Sequence, residues 1–378
     1  MRIAFIRSRY NPYGGAERFV GRAIAALDTQ GATVTLIARE WIAAAASGEF
    51  DTHAPQLEVR ICNPAYLGSV WRDASFARAA RRILDEEKFD LVQSHERIVG
   101  CDVYRAGDGV HAEWLRQRDR VLGTAGRIGV RLNLHHRYVL RVERAMFADP
   151  RLRAVVCNSA MVREEIRSHF GVAQDRLHVI YNGVDADAFH PRLAGLHRKA
   201  VRQRLGIPQE ARLYLLVGSG FERKGVPALL AAMAQIPDAH ALVIGTDKHI
   251  ARYRQSAGPR VLFLGGQDAV QPYYGAADAF VLPTLYDPLP NAALEALACG
   301  LPVVTSSKCG AAELMTEGVS GFVRDALDIE GIAAAMRAAA DSARNPGLRA
   351  AARKVAEPLS LEAMATRLLG LYRHLLQR

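Results

Sequence analysis

Little in this sequence points to redox, disulfide or metal chemistry. The five cysteines (Cys62, Cys101, Cys157, Cys299, Cys309) are scattered and odd in number, with no C-x-x-C pair. A disulfide framework and a zinc ribbon are therefore both poor readings, and a reducing cytosol fits best. Long apolar runs are also missing: the longest candidate, around residues 34–46, is interrupted by Arg39 and Glu40, so no membrane-spanning helix is expected. The opening MRIAFIRSRY enters a strand at once and lacks the apolar core and small-residue cleavage site of a signal peptide. Acidic charge is short as well, 39 Asp and Glu against 49 Lys and Arg, for a net charge of +10. That balance calls for anionic partners. The expectation is a cytoplasmic protein that touches a membrane without crossing it.

What is present is the composition of a globular protein: half the residues are apolar, 23 % are charged and mean hydropathy is near zero. A chain of 378 residues exceeds one comfortable core, so two domains are expected. Short β-branched runs alternate with helical patterns. In the first half the predicted strands are Arg2–Ile6, Thr33–Ala38, Leu57–Ile61, Asp90–Ser94, Asp102–Arg105 and Ala154–Asn158. In the second they are Leu213–Gly218, Ala241–Gly245, Val261–Gly265, Ala279–Pro283 and Pro302–Ser306. Helices are predicted over Ala16–Gln30, Val70–Glu87 and Met161–Phe170. This alternation argues for an α/β protein of two doubly wound parallel sheets. The turn-rich YNGVDADAFHP, residues 181–191, reads as a hinge between a first domain over 1–180 and a second over 192–358. A last helix over Leu361–Gln377, capped by Ser360, presents Leu361, Met364, Ala365, Leu368, Tyr372 and Leu375 on one face.

Three loops carry candidate chemistry. Gly14 and Gly15, in NPYGGAE after the first strand, let a ligand approach the backbone at a helix N-terminus, a good anion site; alone, an ordinary turn explains them better. In VGSGFERKG, Arg223 and Lys224 follow the first strand of the second half, where two cations could neutralise a diphosphate leaving group without a metal; a solvated basic turn is the plain alternative. In YDPLPNAALEALACGLPVV, Asp287 closes a loop and Asn291–Ala298 reads as the following helix, with Glu295 one turn in. Glu295 could accept from two ribose hydroxyls, while Asp287 and the loop amides face the sugar and phosphates. Suiting the helix dipole would account for Asp287 but not for the rest of the run.

Together, and in this order, these residues resemble the glycosyltransferase family 4 signature within the GT-B architecture of two Rossmann-like domains facing across a cleft. The family's acid–seven residues–acid motif is matched by Asp287 and Glu295, its basic donor loop by Arg223–Lys224–Gly225, and its N-terminal glycine loop by Gly14–Gly15. The resemblance implies a retaining, metal-independent hexosyltransferase using a nucleotide-sugar donor and no cofactor. It implies a donor site of Gly14, Gly15, Arg223, Lys224, Asp287, Leu289, Asn291, Ala292 and Glu295. It also implies that the final helix, residues 360–378, returns to the first domain. Asp108 or His111, after another strand, would fill the role of a family His that touches the transferred sugar; a surface His beginning a helix explains His111 nearly as well. The catalytic set is then Asp108, His111, Lys224 and Asp287, with His95 and Glu96 as acceptor-side candidates. Two features depart from the pattern. Asp287 stands where a Glu is usual, and Ser219 where many relatives have Arg. Asp185 and Asp187 mimic a metal-binding Asp-x-Asp but read as a turn.

Between residues 111 and 147 eight arginines meet three carboxylates, half the net charge in a tenth of the chain. Interleaved with Trp114, Leu115, Leu122, Ile128, Leu132, Leu134, Tyr138 and Leu140, they suit an anionic membrane surface; a solvated helical face explains the charge equally well. No nucleic-acid motif accompanies it. The runs Tyr13–Gly15, Val217–Val226 and Asp102–Asp108 are similar to those of the lipopolysaccharide-core α-1,3-glucosyltransferases. That implies UDP-glucose as donor, an inner-core heptose or similar lipid-linked glycan as acceptor, and a peripheral place at the inner face of the inner membrane. The rival readings are a nucleotide-sugar epimerase on the same fold and a non-enzymic basic scaffold.

Overall fold

The computed structural model describes residues 1–10, 33–41, 57–341 and 346–377. The predicted helix over Ala16–Gln30 and the Gly14–Gly15 loop lie outside these residues. The chain forms two compact units, one of Met1–Tyr181 with Leu361–Arg378, the other of Asn182–Ser360. Most of the segment read as a hinge therefore belongs to the second unit, with the division falling at Tyr181.

The first unit is built on seven strands: β1 (Arg2–Tyr10), β2 (Thr33–Trp41), β3 (Leu57–Ile61), β4 (Leu91–Ser94), β5 (Val103–Arg105), β6 (Ala154–Cys157) and β7 (Leu177–Val179). They pair in the order β3-β2-β1-β4-β5-β6-β7, every pair parallel. Ile3, Ala4, Phe5 and Ile6 of β1 are all fully buried, as expected of a strand covered on both faces. One face is covered by the final helix, Leu361–Leu376. Its Met364, Leu368, Leu371, Tyr372 and Leu375 pack with Ile3, Phe5, Leu36 and Val103. The Tyr372 hydroxyl donates to Gln93 Oε1 at 2.6 Å, satisfying its polar tip inside the core. Ser360, expected as a helix cap, forms a parallel bridge with Val184.

The second unit holds β8 (Arg212–Val217), β9 (Ala239–Ile244), β10 (Val261–Gly265), β11 (Ala279–Leu282), β12 (Val303–Ser306) and β13 (Gly321–Arg324), again all parallel, in the order β10-β9-β8-β11-β12-β13. In each sheet the order reverses beside the first strand, between β1 and β4 and between β8 and β11. Loops leaving the carboxyl ends of those strands are where ligands bind in doubly wound sheets.

Candidate active site

In the second unit, β8 runs into residues 218–225 and β11 into residues 283–290. Since the two strands are neighbours, their loops emerge together. Gly225 sets how closely they approach. Its φ is +76°, and a Cβ there would lie 1.9 Å from the Pro283 carbonyl oxygen, so only glycine fits. The contact allows three bonds between the loops. Leu285 N–H donates to the Arg223 carbonyl at 2.9 Å, and the Thr284 hydroxyl donates to the same oxygen at 2.6 Å. Arg223 Nε donates to the Tyr286 carbonyl at 2.8 Å, its guanidinium 5.7 Å from the Tyr286 ring centroid.

Beyond this seam Lys224 Nζ donates to Asp287 Oδ2 at 2.5 Å. Asp287 is 6 % exposed, and its backbone is held on both sides: its N–H donates to the Lys308 carbonyl at 2.9 Å and its carbonyl accepts from Gly310 N–H at 2.8 Å. The structure thus brings Arg223, Lys224 and Asp287 together as one cluster. The neighbouring Cys309 is buried and its thiol is pushed up to about 12 by that burial and by Asp287, so it remains a protonated, unreactive thiol.

Glu295 lies within the Asn291–Ala298 helix and is nearly buried. The Tyr274 hydroxyl, itself buried, donates to Glu295 Oε2 at 2.9 Å and lies 3.1 Å from the Ala292 carbonyl. A carboxylate held this way has a fixed orientation. The start of the same helix is tied by Asn182, whose Nδ2 donates to the Leu289 carbonyl at 3.1 Å and to Asn291 Oδ1 at 2.7 Å. Sequence reasoning missed Tyr274 and Asn182. Asn182 carried a signal only as part of the turn-rich YNGVDADAFHP run; Tyr274, in a Tyr-Tyr pair ahead of a strand, carried none. The Asp185–Asp187 turn is local: Asp185 Oδ1 accepts from the N–H groups of Asp187 and Ala188 at 3.0 and 2.9 Å. Among the described residues no group of three or more His, Cys, Asp or Glu side chains could hold a metal ion.

In the first unit, Asp108 is exposed and His111 half-buried after β5. His111 opens a helix, His111–Asp119. Its N–H donates to the buried Glu143 carboxylate at 3.1 Å, and its Nε2 lies 3.1 Å from His136 Nδ1. His95 is buried beside Gln93, and burial, with Arg105 and Arg7, holds its pKa well below the usual imidazole range.

Two family models match the chain: one described as glycosyltransferase family 4 over residues 13–188, and one described as glycosyl transferases group 1 over residues 211–342. The chain belongs to the family 4 glycosyltransferases. This glycosyltransferase is 26 % identical over 332 residues to the lipopolysaccharide glucosyltransferase WaaG of Escherichia coli K12, covering 85 % of each chain. The crystal structure of WaaG superposes with a TM-score of 0.80 at 24 % identity, covering 97 % of this chain and 98 % of that one. The structure of HepE from Anabaena in complex with UDP and glucose gives a TM-score of 0.74 at 20 % identity, covering 99 % of each. These likenesses establish the GT-B fold of this glycosyltransferase.

Proposed function

We propose that this glycosyltransferase moves a hexose, glucose from UDP-glucose by preference, onto a lipopolysaccharide inner-core heptose or a similar lipid-linked glycan, with retention of configuration and no metal. The observation that carries the donor half is the Arg223–Lys224–Asp287 cluster, seamed together at the switch point of the second sheet. As the glycosidic bond breaks, negative charge gathers on the departing nucleotide diphosphate. Arg223 and Lys224 stabilise it, Glu295 binds the ribose, and Asp287 with the backbone of Leu289, Asn291 and Ala292 orients the sugar. Removing one such preorganised cation costs about a hundred- to a thousand-fold in rate. The WaaG and HepE likenesses support glucose, a UDP donor and a lipopolysaccharide acceptor.

The deciding experiment is nucleotide release from a panel of UDP- and GDP-sugars, with and without deacylated lipopolysaccharide core. Release that needs the core and is lost in Lys224→Ala is expected. No release from any donor would sink the proposal. Interconversion of free UDP-sugars without acceptor would install the epimerase instead.

The membrane half rests on the basic region, which forms three helices, His111–Asp119, Thr124–Leu132 and Leu134–Phe147. The middle one buries no residue, and Ile128, Leu132 and Leu134 are 53 %, 68 % and 70 % exposed. Arg127 and Arg131 share that helix, so apolar and cationic side chains face solvent together, as in interfacial helices. Among the described residues no helix is long and apolar enough to cross a membrane. Flotation with phosphatidylglycerol vesicles should carry the protein upward; persistence of that binding in Leu132→Ser/Leu134→Ser would remove this half of the proposal.

A further inference from the structure

Around the start of the helix Gly68–Glu86 the first unit exposes apolar side chains that the donor chemistry does not use. Tyr66, Leu67 and Trp71 are 43 %, 82 % and 53 % exposed, with Ala65 exposed beside them. Gly68, at φ +79°, turns the chain sharply between Leu67 and the helix. Leu67 therefore stands at a corner. Single exposed apolar residues are ordinary, but a cluster of aromatic and aliphatic side chains marks a surface that meets a partner.

The corner is braced from inside. Arg39 of β2 is 2 % exposed, and a buried cation is normally paired with a carboxylate. Among the described residues Arg39 bonds no carboxylate and spends both terminal nitrogens on this corner. Nη1 donates to Asn63 Oδ1 at 2.6 Å and to the Pro64 carbonyl at 2.9 Å, in the loop ahead of the helix. Nη2 donates to the Arg72 carbonyl at 2.8 Å and to the Ser75 hydroxyl at 3.1 Å, in the first two turns of the helix. The guanidinium also lies 4.8 Å from the Tyr66 ring centroid. One side chain thus joins the loop to the helix, with Tyr66 packed against it. A tip held in one shape loses little conformational freedom on docking.

The charges around the tip select its partner. From residue 62 to 84 four arginines stand against one carboxylate, Asp73. Both oxygens of Asp73 are already engaged: Oδ1 accepts from Arg72 Nε at 2.8 Å, and Oδ2 lies 2.9 Å from His135 Nε2. Arg78, two turns beyond Trp71 on the same helical face, is exposed. The His135 contact joins the tip to the helix Leu134–Phe147, whose Leu134, Arg137 and Arg141 are exposed. Aromatic rings that settle at headgroup depth, leucines and unpaired-side arginines are the mixture that anionic lipid surfaces take up. We propose that Tyr66, Leu67 and Trp71 form a second, rigid insertion point for an anionic bilayer, separate in sequence from the helix Thr124–Leu132. The choice of lipid as partner rests on the membrane half proposed above. Two insertion points fix how the first unit lies on a surface, where a single helix would let it roll.

The test is flotation of the full chain with phosphatidylglycerol vesicles, phosphatidylcholine vesicles serving as the neutral control, joined to tryptophan quenching by brominated phosphatidylglycerol. Leu67→Ser/Trp71→Ser changes only exposed side chains and should keep the wild-type melting curve, while affinity for the anionic vesicles falls at least about tenfold. Trp71→Phe should keep most of the affinity and lose most of the quenching, because Trp71 is the inserted emitter. Wild-type affinity in Leu67→Ser/Trp71→Ser, or unchanged quenching in Trp71→Phe, overturns the proposal, as does equal binding to the two vesicle types. Self-association of the wild type in sedimentation velocity that Leu67→Ser/Trp71→Ser abolishes, with vesicle binding unchanged, assigns the face to a second copy of the chain instead. The two insertion points fail separately: if Leu132→Ser/Leu134→Ser still binds with Trp71 quenched, the membrane role of Thr124–Leu132 falls and this one stands. A wild type that floats with neither vesicle sinks both.

Discussion

The Lys224–Asp287 pair makes a quantitative claim about stability as well as catalysis. The Asp287 side chain is 8 % exposed and that of Lys224 20 %. Lys224→Met leaves a nearly dry carboxylate without its cation, a change worth about 3–5 kcal/mol when a pair is fully buried. A fifth of the lysine side chain reaches water, so about 2–3 kcal/mol is expected in this setting. For a unit spanning Asn182–Ser360 this lowers its melting temperature by roughly 5–10 °C. Asp287→Asn removes the charge that needed burying, and Lys224 can turn to solvent, so the loss should stay near 1 kcal/mol. The double variant Lys224→Met/Asp287→Asn should therefore melt higher than Lys224→Met alone, a non-additivity that a double-mutant cycle reads directly. The assay is thermal unfolding of the four proteins without ligand, following the second unit's transition, with kcat measured alongside. Lys224→Met is expected to lose about a hundred- to a thousand-fold in kcat in either background. If the double variant melts as low as the sum of the singles, the pair is not coupled and the burial argument fails.

Gly225→Ala should destabilise the second unit by more than about 2 kcal/mol and remove transferase activity, since the new methyl meets backbone rather than a movable side chain; a wild-type melting curve would refute the seam. Tyr274→Phe should raise the donor KM several-fold with a smaller effect on kcat, because Glu295 loses the donor that orients it; unchanged donor affinity in a titration would contradict this. His95, buried and held well below its ordinary pKa, is neutral when folded and takes a proton near pH 6.5 when unfolded. Its contribution is present above that pH and is lost as pH falls from about 6.5 toward the folded pKa, at up to roughly 1.4 kcal/mol per pH unit. His95→Gln should flatten the melting temperature of the first unit over that interval, and parallel slopes for the two proteins would refute the assignment.

Strand positions were readable because parallel strands covered on both faces must be continuous apolar runs. The apolar run Val261–Gly265 has the bounds its pattern suggests; Leu57–Ile61 has its expected bounds too, although LEVRI is an edge strand with two charged residues and none buried. The two strands not anticipated are short edge strands, β7 and β13. LHV and GFVR carry too few apolar residues to stand out from a loop, and become strands only by pairing with β6 and β12. Within the site, residues carried by a local motif, such as Lys224, Asp287 and Glu295, could be found from spacing. Tyr274 and Asn182 reach it from 21 and 109 positions away, and Arg39 acquires its character only when folding buries it. No spacing rule encodes contacts made by tertiary packing.

The return of the last helix to the first unit has a consequence for synthesis. The chain leaves the first unit after Tyr181 and re-enters it at Leu361. On the second unit's side these crossings are fastened to each other, Val184 N–H donating to the Leu359 carbonyl at 2.8 Å. On a ribosome, residues 182–360 are therefore complete while the earlier-made first unit still lacks the helix that covers Phe5 and Leu36. The usual order of nascent domains, first made and first finished, is reversed. The unit bearing the Lys224–Asp287 cluster can close first, and a nascent chain stalled before residue 361 would leave an apolar sheet face uncovered, a target for chaperones until translation resumes.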